Sequence, residues 1–354
     1  MTEVSRRVAA FCERYGLDVP IVQAPMAGAC PPDLAVAVAE AGGMGADGAV
    51  LDSPEAIGDW ARRFREGSSR AFQMNLWIPD ETSSADSGEE PARRFLERFG
   101  SPGEVGGAAP VFTEQCDALL AARPTVISSI MGLFEPAMVE RIHAAGIAWF
   151  ACATTLEEAL AAERTGADVV VAQGVEAGGH RGTFDPDAAG RTGVGLLALV
   201  PQLVDALRVP VVATGGIADA RGVAAALILG ASAVQVGTAF LRSPEAGIAA
   251  AWSEQLAAAA PETSVITRAY SGRPGRALPT HYVRAWAADG APPPAGYPVQ
   301  RALVGQWRRG QPTGEGIDRT NHWAGQAARL AATESASVIT RELWSGAREY
   351  LWSS

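Results

Sequence analysis

The sequence predicts an α/β fold of the (β/α)8 barrel type, in which eight parallel strands alternate with helices. Eight short segments are apolar and rich in β-branched residues, without the polar alternation of a half-exposed strand. That is how parallel strands covered on both faces read. Between them the pattern changes to a helical period, and most strand-to-strand intervals hold one strand, one helix and two short loops. An open doubly wound sheet is the competing arrangement; eight alternating units favour closure.

The strands, in order, are PIVQAPM (20–26), GMGADGAV (43–50), AFQMNLW (71–77), TVISSIM (125–131), AWFACAT (148–154), ADVVVAQG (167–174), VPVVATGG (209–216) and SAVQVGTAF (232–240). The helices carry their own punctuation. DLAVAVAEAGG takes Asp33 as N-cap and stops at Gly42. SPEAIGDWARRFREG places Ser53 at the cap, Pro54 in the first turn and Gly67 past the end. TLEEALAAERTG and DARGVAAALILG repeat the design, with Gly166 and Gly230 as stops.

Two stretches break the regularity. Residues 78–124 exceed what one helix needs and include the polar PDETSSADSGEEP, which is expected to be mobile. A long segment follows the eighth strand and contains APPPAGYP (291–298), expected as an extended Pro-rich loop. The expected division is a barrel over 1–240, with a helical extension over 241–354 packed on the barrel's C-terminal mouth.

Composition bounds the function. Of 354 residues, 48% are hydrophobic and 19% charged, enough for a large core. A net charge of −10 repels nucleic acid and anionic membrane, so neither is an expected partner. No apolar run reaches membrane-spanning length and the N-terminus has no signal-peptide core, so a cytoplasmic protein is expected, as monomer or homodimer. Cys12, Cys30, Cys116 and Cys152 lack any CxxC spacing, and His143, His180, His281 and His322 lack HExxH or HxH spacing. Neither a disulfide framework nor a metal site is expected.

In a barrel of this kind ligands sit at the carboxyl ends of the strands. Those ends carry Ala24-Pro25-Met26, Asn75, Gln173, Gly178-Gly179-His180, Gly215-Gly216 and Gln235-Val236-Gly237-Thr238. Glycine turns after the seventh and eighth strands present unblocked backbone N–H groups, a phosphate cradle. The amides of Asn75, Gln173 and Gln235 offer donors and acceptors together, suited to the ribityl chain and ring edge of a flavin. The predicted cofactor is therefore FMN. His180, set among four glycines in AQGVEAGGHRGTF, is the candidate catalytic residue, able to exchange a proton near neutral pH.

PIVQAPMAG, MNL, AQGVEAGGHRGTF, VVATGGIAD, VQVGTAF, TRAYSGRPGR and HWAGQAARL together resemble the nitronate monooxygenase family, formerly the 2-nitropropane dioxygenases, from about residue 18 to 333. The resemblance implies an FMN-dependent barrel that oxidises alkyl nitronates, and in some members neutral nitroalkanes, with O2 to a carbonyl compound and nitrite. It implies flavin contacts at Asn75, Gln173, Gly178, Gly216 and Gln235–Thr238, and His180 as base toward nitroalkanes. The chain departs from the family pattern on the substrate side. Ile130, after Ser129, stands where members often have histidine; Tyr297 is kept, while Ala302 replaces a second tyrosine. Two other readings share the barrel. One is NAD(P)H-dependent reduction of a quinone or enoyl thioester, or a specialised tailoring oxidation; the other is a flavin-binding barrel without activity. An intact EAGGHRG disfavours the inactive barrel, and the lack of a strand–GxGxxG–helix unit disfavours a tightly held pyridine nucleotide.

Overall fold

The structure is a computed structural model that describes residues 2–80, 88–104, 106, 109–310 and 320–352. Most of the PDETSSADSGEEP stretch therefore lies outside the described residues. The strands are β1 (Ile21–Gln23), β2 (Gly45–Gly48), β3 (Phe72–Trp77), β4 (Val126–Ile130), β5 (Ala148–Ala153), β6 (Val169–Gln173), β7 (Gly179–His180), β8 (Val211–Thr214), β9 (Ala233–Val236), β10 (Val265–Thr267) and β11 (Gly275–Ala277). Eight of them form one parallel sheet in the order β1-β9-β8-β6-β5-β4-β3-β2. Met44 closes it: its N–H reaches the Ile21 carbonyl at 3.0 Å, and its carbonyl accepts the Gln23 N–H at 2.9 Å. The (β/α)8 barrel holds, and each of its strands falls inside a segment expected from sequence.

The helix signals held in mechanism more than in detail. Ser53, Thr155 and Asp219 accept backbone N–H groups as N-caps, and Gly166 ends its helix at φ 105°. Asp33 is not a cap. The helix Pro32–Glu40 begins after Pro31, whose extended backbone makes the start, and Asp33 falls in the first turn beside the helix dipole. Gly67 is the last helical residue rather than the stop; a Cβ there would lie 2.9 Å from Val36.

The C-terminal extension divides. Helix Ala336–Leu351 packs against the helices after β8 and β1, and its Ala336, Ile339, Leu343 and Ala347 join the main core. It thus fills the eighth helical position of the ring, so residues 241–335 are an insertion between the eighth strand and its helix. The insertion has a core of its own. Tyr282, Trp286, Leu303, Val304 and Trp307 gather with Phe95 from helix Glu89–Glu97. At the opposite end, helix Glu3–Tyr15 brings Phe11 and Tyr15 against Phe150, with ring centroids 6.2 and 5.0 Å away. Among the described residues no helix is long and apolar enough to cross a membrane.

One charge is out of place in this core. Asp47 of β2 is buried, its Oδ1 3.9 Å from the Cys30 thiol and its Oδ2 without a partner. Burial, and then the charge of Asp52, pushes its carboxyl up to about 8. Between the ordinary carboxylate range and that value the folded chain holds a proton that the unfolded chain has released. Stability therefore falls as pH rises through this window. Asp47→Asn keeps the shape and removes the titration. Its melting temperature should exceed that of the wild type at pH 8, and the difference should shrink toward pH 4; a constant difference across the range would assign the effect to packing.

Candidate active site

The strand ends open into a cavity of about 1420 Å³, above the roughly 300–1,000 Å³ of an ordinary single-ligand pocket. Ala24, Pro25, Met26, Asn75, Gln173, Gly215, Gly216, Gln235, Gly237 and Thr238 all line it, as do Gly178, Gly179, His180, Ser129, Ile130 and Tyr297. Val236 does not. Its side chain alternates with that of Gln235 and is buried in the core behind the strand.

The amides are held by other amides. Gln23 bonds both ways to the backbone of Ala46 at 3.2 Å. Gln73 Nε2 donates to the Gln23 carbonyl at 2.8 Å and to Gln235 Oε1 at 3.1 Å. Gln235 therefore keeps its NH2 for the cavity. Asn75 Nδ2 donates to Ser128 Oγ at 3.0 Å, which leaves its oxygen as the acceptor. Gln173 is spent differently: its Oε1 accepts the Gly182 N–H at 2.8 Å and its Nε2 donates to the His180 carbonyl at 3.1 Å. It shapes the loop that carries the histidine. Gln23 and Gln73 were legible as lone polar residues in apolar strands, but their interior direction was not.

The glycines also divide by role. Gly215 and Gly216, at φ 115° and 69°, make a turn that side chains rarely adopt. Gly178 serves the protein itself. A Cβ there would stand 2.4 Å from the Gly325 nitrogen, because the HWAGQ segment crosses at this point. Gly325 N–H donates to Thr238 Oγ1 at 3.1 Å, and Gln326 N–H to the Glu176 carbonyl at 2.9 Å. The Glu176 carboxylate caps helix Leu196–Ala206 through the Leu196 N–H.

His180 lies on β7, which pairs antiparallel with β11, so Gly275 of the insertion faces it across the ladder. Its loop is pinned from beneath: the Glu158 carboxylate accepts from Thr183 Oγ1 at 2.6 Å and Phe184 N–H at 2.9 Å. Arg181 donates to the Gln173 carbonyl at 2.6 Å and the Thr192 carbonyl at 3.2 Å. The imidazole stands between two indoles, Trp77 at 4.5 Å and Trp323 at 4.6 Å between centroids. Its Nε2 is 2.7 Å from Ser271 Oγ, which also accepts the Arg273 N–H at 3.2 Å. Burial, followed by the guanidinium charges of Arg273 and Arg301, lowers its pKa to about 3. Arg273 is fully buried and pairs with Asp80 at the end of β3. Trp77, Ser271, Arg301 and Trp323 were missed from sequence; three of them lie on the insertion, whose approach to the site no local pattern records.

Residues 11–346 match the family model for nitronate monooxygenase. The chain belongs to this family. A nitronate monooxygenase of Pseudomonas aeruginosa is 38% identical over 94% of this chain and 97% of its own length. A probable nitronate monooxygenase of Staphylococcus aureus is 32% identical over 94% of this chain and 95% of its own. Among solved structures, the nitroalkane oxidase of Streptomyces ansochromogenes superposes with a TM-score of 0.82 at 33% identity, covering 97% of this chain and all of that one. FabK of Thermotoga maritima, at 24% identity and a TM-score of 0.74, covers 97% of this chain and 96% of its own and shares the fold. As a nitronate monooxygenase family member, the protein is an FMN-dependent oxidoreductase.

The residues present fit that cofactor. Gly215, Gly216 and Gly237 offer side-chain-free backbone at the ends of β8 and β9, and the Gln235 amide and Asn75 carbonyl stand ready for a ring of mixed donors and acceptors. A Cβ on Gly237 would already lie 3.1 Å from Ala24 and 3.3 Å from Met26 Sδ. Gly237→Val should therefore purify with at most about a tenth of the wild-type flavin, because a β-branched side chain blocks the approach of a phosphate to the backbone, at an unchanged circular-dichroism spectrum. Full yellow colour would move the phosphate cradle elsewhere.

Proposed function

We propose that the site takes up preformed nitronate anions, with His180 as the group that holds and orients the nitro function beside the flavin. The observation that carries this reading is a neutral histidine walled by indoles and faced by guanidinium groups. When bound, FMN supplies the redox chemistry that converts a nitronate and O2 into a carbonyl compound and nitrite. The chain's own residues do the rest. Ser271 fixes the imidazole plane through the 2.7 Å contact between its hydroxyl and Nε2. Trp77 and Trp323 flank the ring and limit its movement. Positive charge around the cavity attracts the anion, against a net charge of −10 for the whole chain.

The same field weakens His180 as a base. A general base works best when its pKa lies near the working pH, and a ring with so acidic a conjugate is a poor acceptor for a carbon-bound proton. The base role that the sequence suggested is thus the less favoured one.

Anaerobic mixing tests the reading. Propane-2-nitronate should bleach the flavin absorbance, 2-nitropropane should do so at least about 100-fold more slowly, the lower end of what a general base contributes, and NADH and NADPH should leave the flavin oxidised. Fast bleaching by a nicotinamide would assign the barrel to reductase chemistry. His180→Asn should lower kcat/KM for the nitronate by about 10- to 100-fold, as expected for a lost hydrogen bond to a charged group, with flavin content retained. The sign of the pH dependence follows from the lowered pKa. His180 stays neutral down to about pH 3, so kcat/KM for a nitronate should show no inflection near pH 6.5. An inflection there that vanishes in His180→Asn would restore an ionising histidine.

A further inference from the structure

We propose that Asp80 and Arg273 are positioning residues for His180, an ion pair that sets where the imidazole stands in the cavity. This rests on the reading of His180 as the group that holds the nitro function.

The pair joins three segments that are distant in the chain. Asp80 follows Trp77 at the end of β3 and lines the cavity. Arg273 comes from the insertion and is fully buried. Its guanidinium meets the carboxylate as a fork: Nε donates to Oδ2 at 3.1 Å, and Nη2 donates to Oδ1. The remaining nitrogen, Nη1, donates to the carbonyl of Thr183 at 3.3 Å, on the loop that carries His180. One planar group thus ties the barrel strand, the insertion and the histidine loop together.

The main chain of Arg273 completes the path to the ring. Its N–H donates to Ser271 Oγ at 3.2 Å, and its carbonyl lies 3.3 Å from the same hydroxyl. Ser271 Oγ is in turn 2.7 Å from His180 Nε2. Gly272 allows this short turn at φ 88°; a Cβ there would stand 2.5 Å from the Tyr297 nitrogen. A displaced guanidinium therefore displaces both the hydroxyl that holds the ring and the Thr183 end of its loop. Glu158 already holds Thr183 and Phe184 from below. A buried ion pair adds little stability over apolar residues of the same volume. What a two-pronged fork adds is direction, and here that direction passes to the imidazole.

The test uses holoenzyme and combines propane-2-nitronate turnover with the imidazole signals in long-range 1H–15N NMR. The His180 signal is the one that His180→Asn removes. In Asp80→Asn it should move or broaden, while the signal of the exposed His143 should stay. For the nitronate, kcat/KM should fall at least about 5-fold, since a small misplacement at the chemistry suffices. Flavin content should be retained, and Asp80→Glu should recover part of the loss. In the His180→Asn background, Asp80→Asn should cost less than about twofold more, because both changes act through one ring. Asp80→Asn combined with Arg273→Gln leaves no uncompensated guanidinium, and gives the same readouts if the single variant folds poorly. Additive losses in the His180→Asn background, or an unmoved His180 signal, would overturn the proposal. A displaced signal with nitronate turnover unchanged in both Asp80→Asn and His180→Asn would keep the hold on the ring and refute the nitronate role of His180.

Discussion

The pairing of His180 with Gly275 is where barrel and insertion become one object. The loop after β6 has more polar backbone than a water-excluded site can leave unpaired, and each such group carries a desolvation cost if orphaned. The ladder to β11 satisfies it from above, while Gln173, Glu158 and Arg181 satisfy it from below. Arg276, one residue along β11, extends the seam by donating to the Val175 carbonyl at 2.9 Å and to Ser264. A histidine on a loop held this way has little freedom, which is what orientation of a small anion requires.

That rigidity has an electrostatic consequence. With the ring fixed between indoles and close to two arginines, protonation would place a third positive charge in a poorly solvated space, so the neutral form persists. Arg273 and Arg301 place positive charge beside the ring. Neutral histidine donates without competing for the proton, and arginine supplies charge that no pH within the stable range removes. The protein's overall negative charge would repel the same ligands at long range, so selection lies with the cavity wall.

The interior of the barrel is ordered in a related way. Gln73 bridges the main-chain carbonyl of Gln23 and the side chain of Gln235 across β1, β3 and β9, while the Gln23 side chain is tied to the Ala46 backbone. Amides so ordered present a known face to a ligand without rearranging, at the expense of one orphaned oxygen on Gln73. Cys152, which lines the same cavity, is held inert by burial, its thiol pushed up to about 12.

The sequence by itself determined the eight strands, most of their helices, the end of the barrel that opens into the cavity and the glycine turns that line it. These are local signals: apolar runs, caps, stops and backbone that only glycine adopts. It also exposed the family through motifs spread over nearly the whole chain. The tertiary structure decided what depends on contacts between distant segments. Gly178 also receives the crossing Gly325, and the Gln173 amide also ties down the histidine loop, neither of which any local pattern records. The last helix belongs to the barrel because its apolar face fits between the helices after β8 and β1, though nearly a hundred residues separate it from its strand. The protonation state of His180 was beyond any sequence reading, because the burial and the two guanidinium groups that set it converge only in the folded chain.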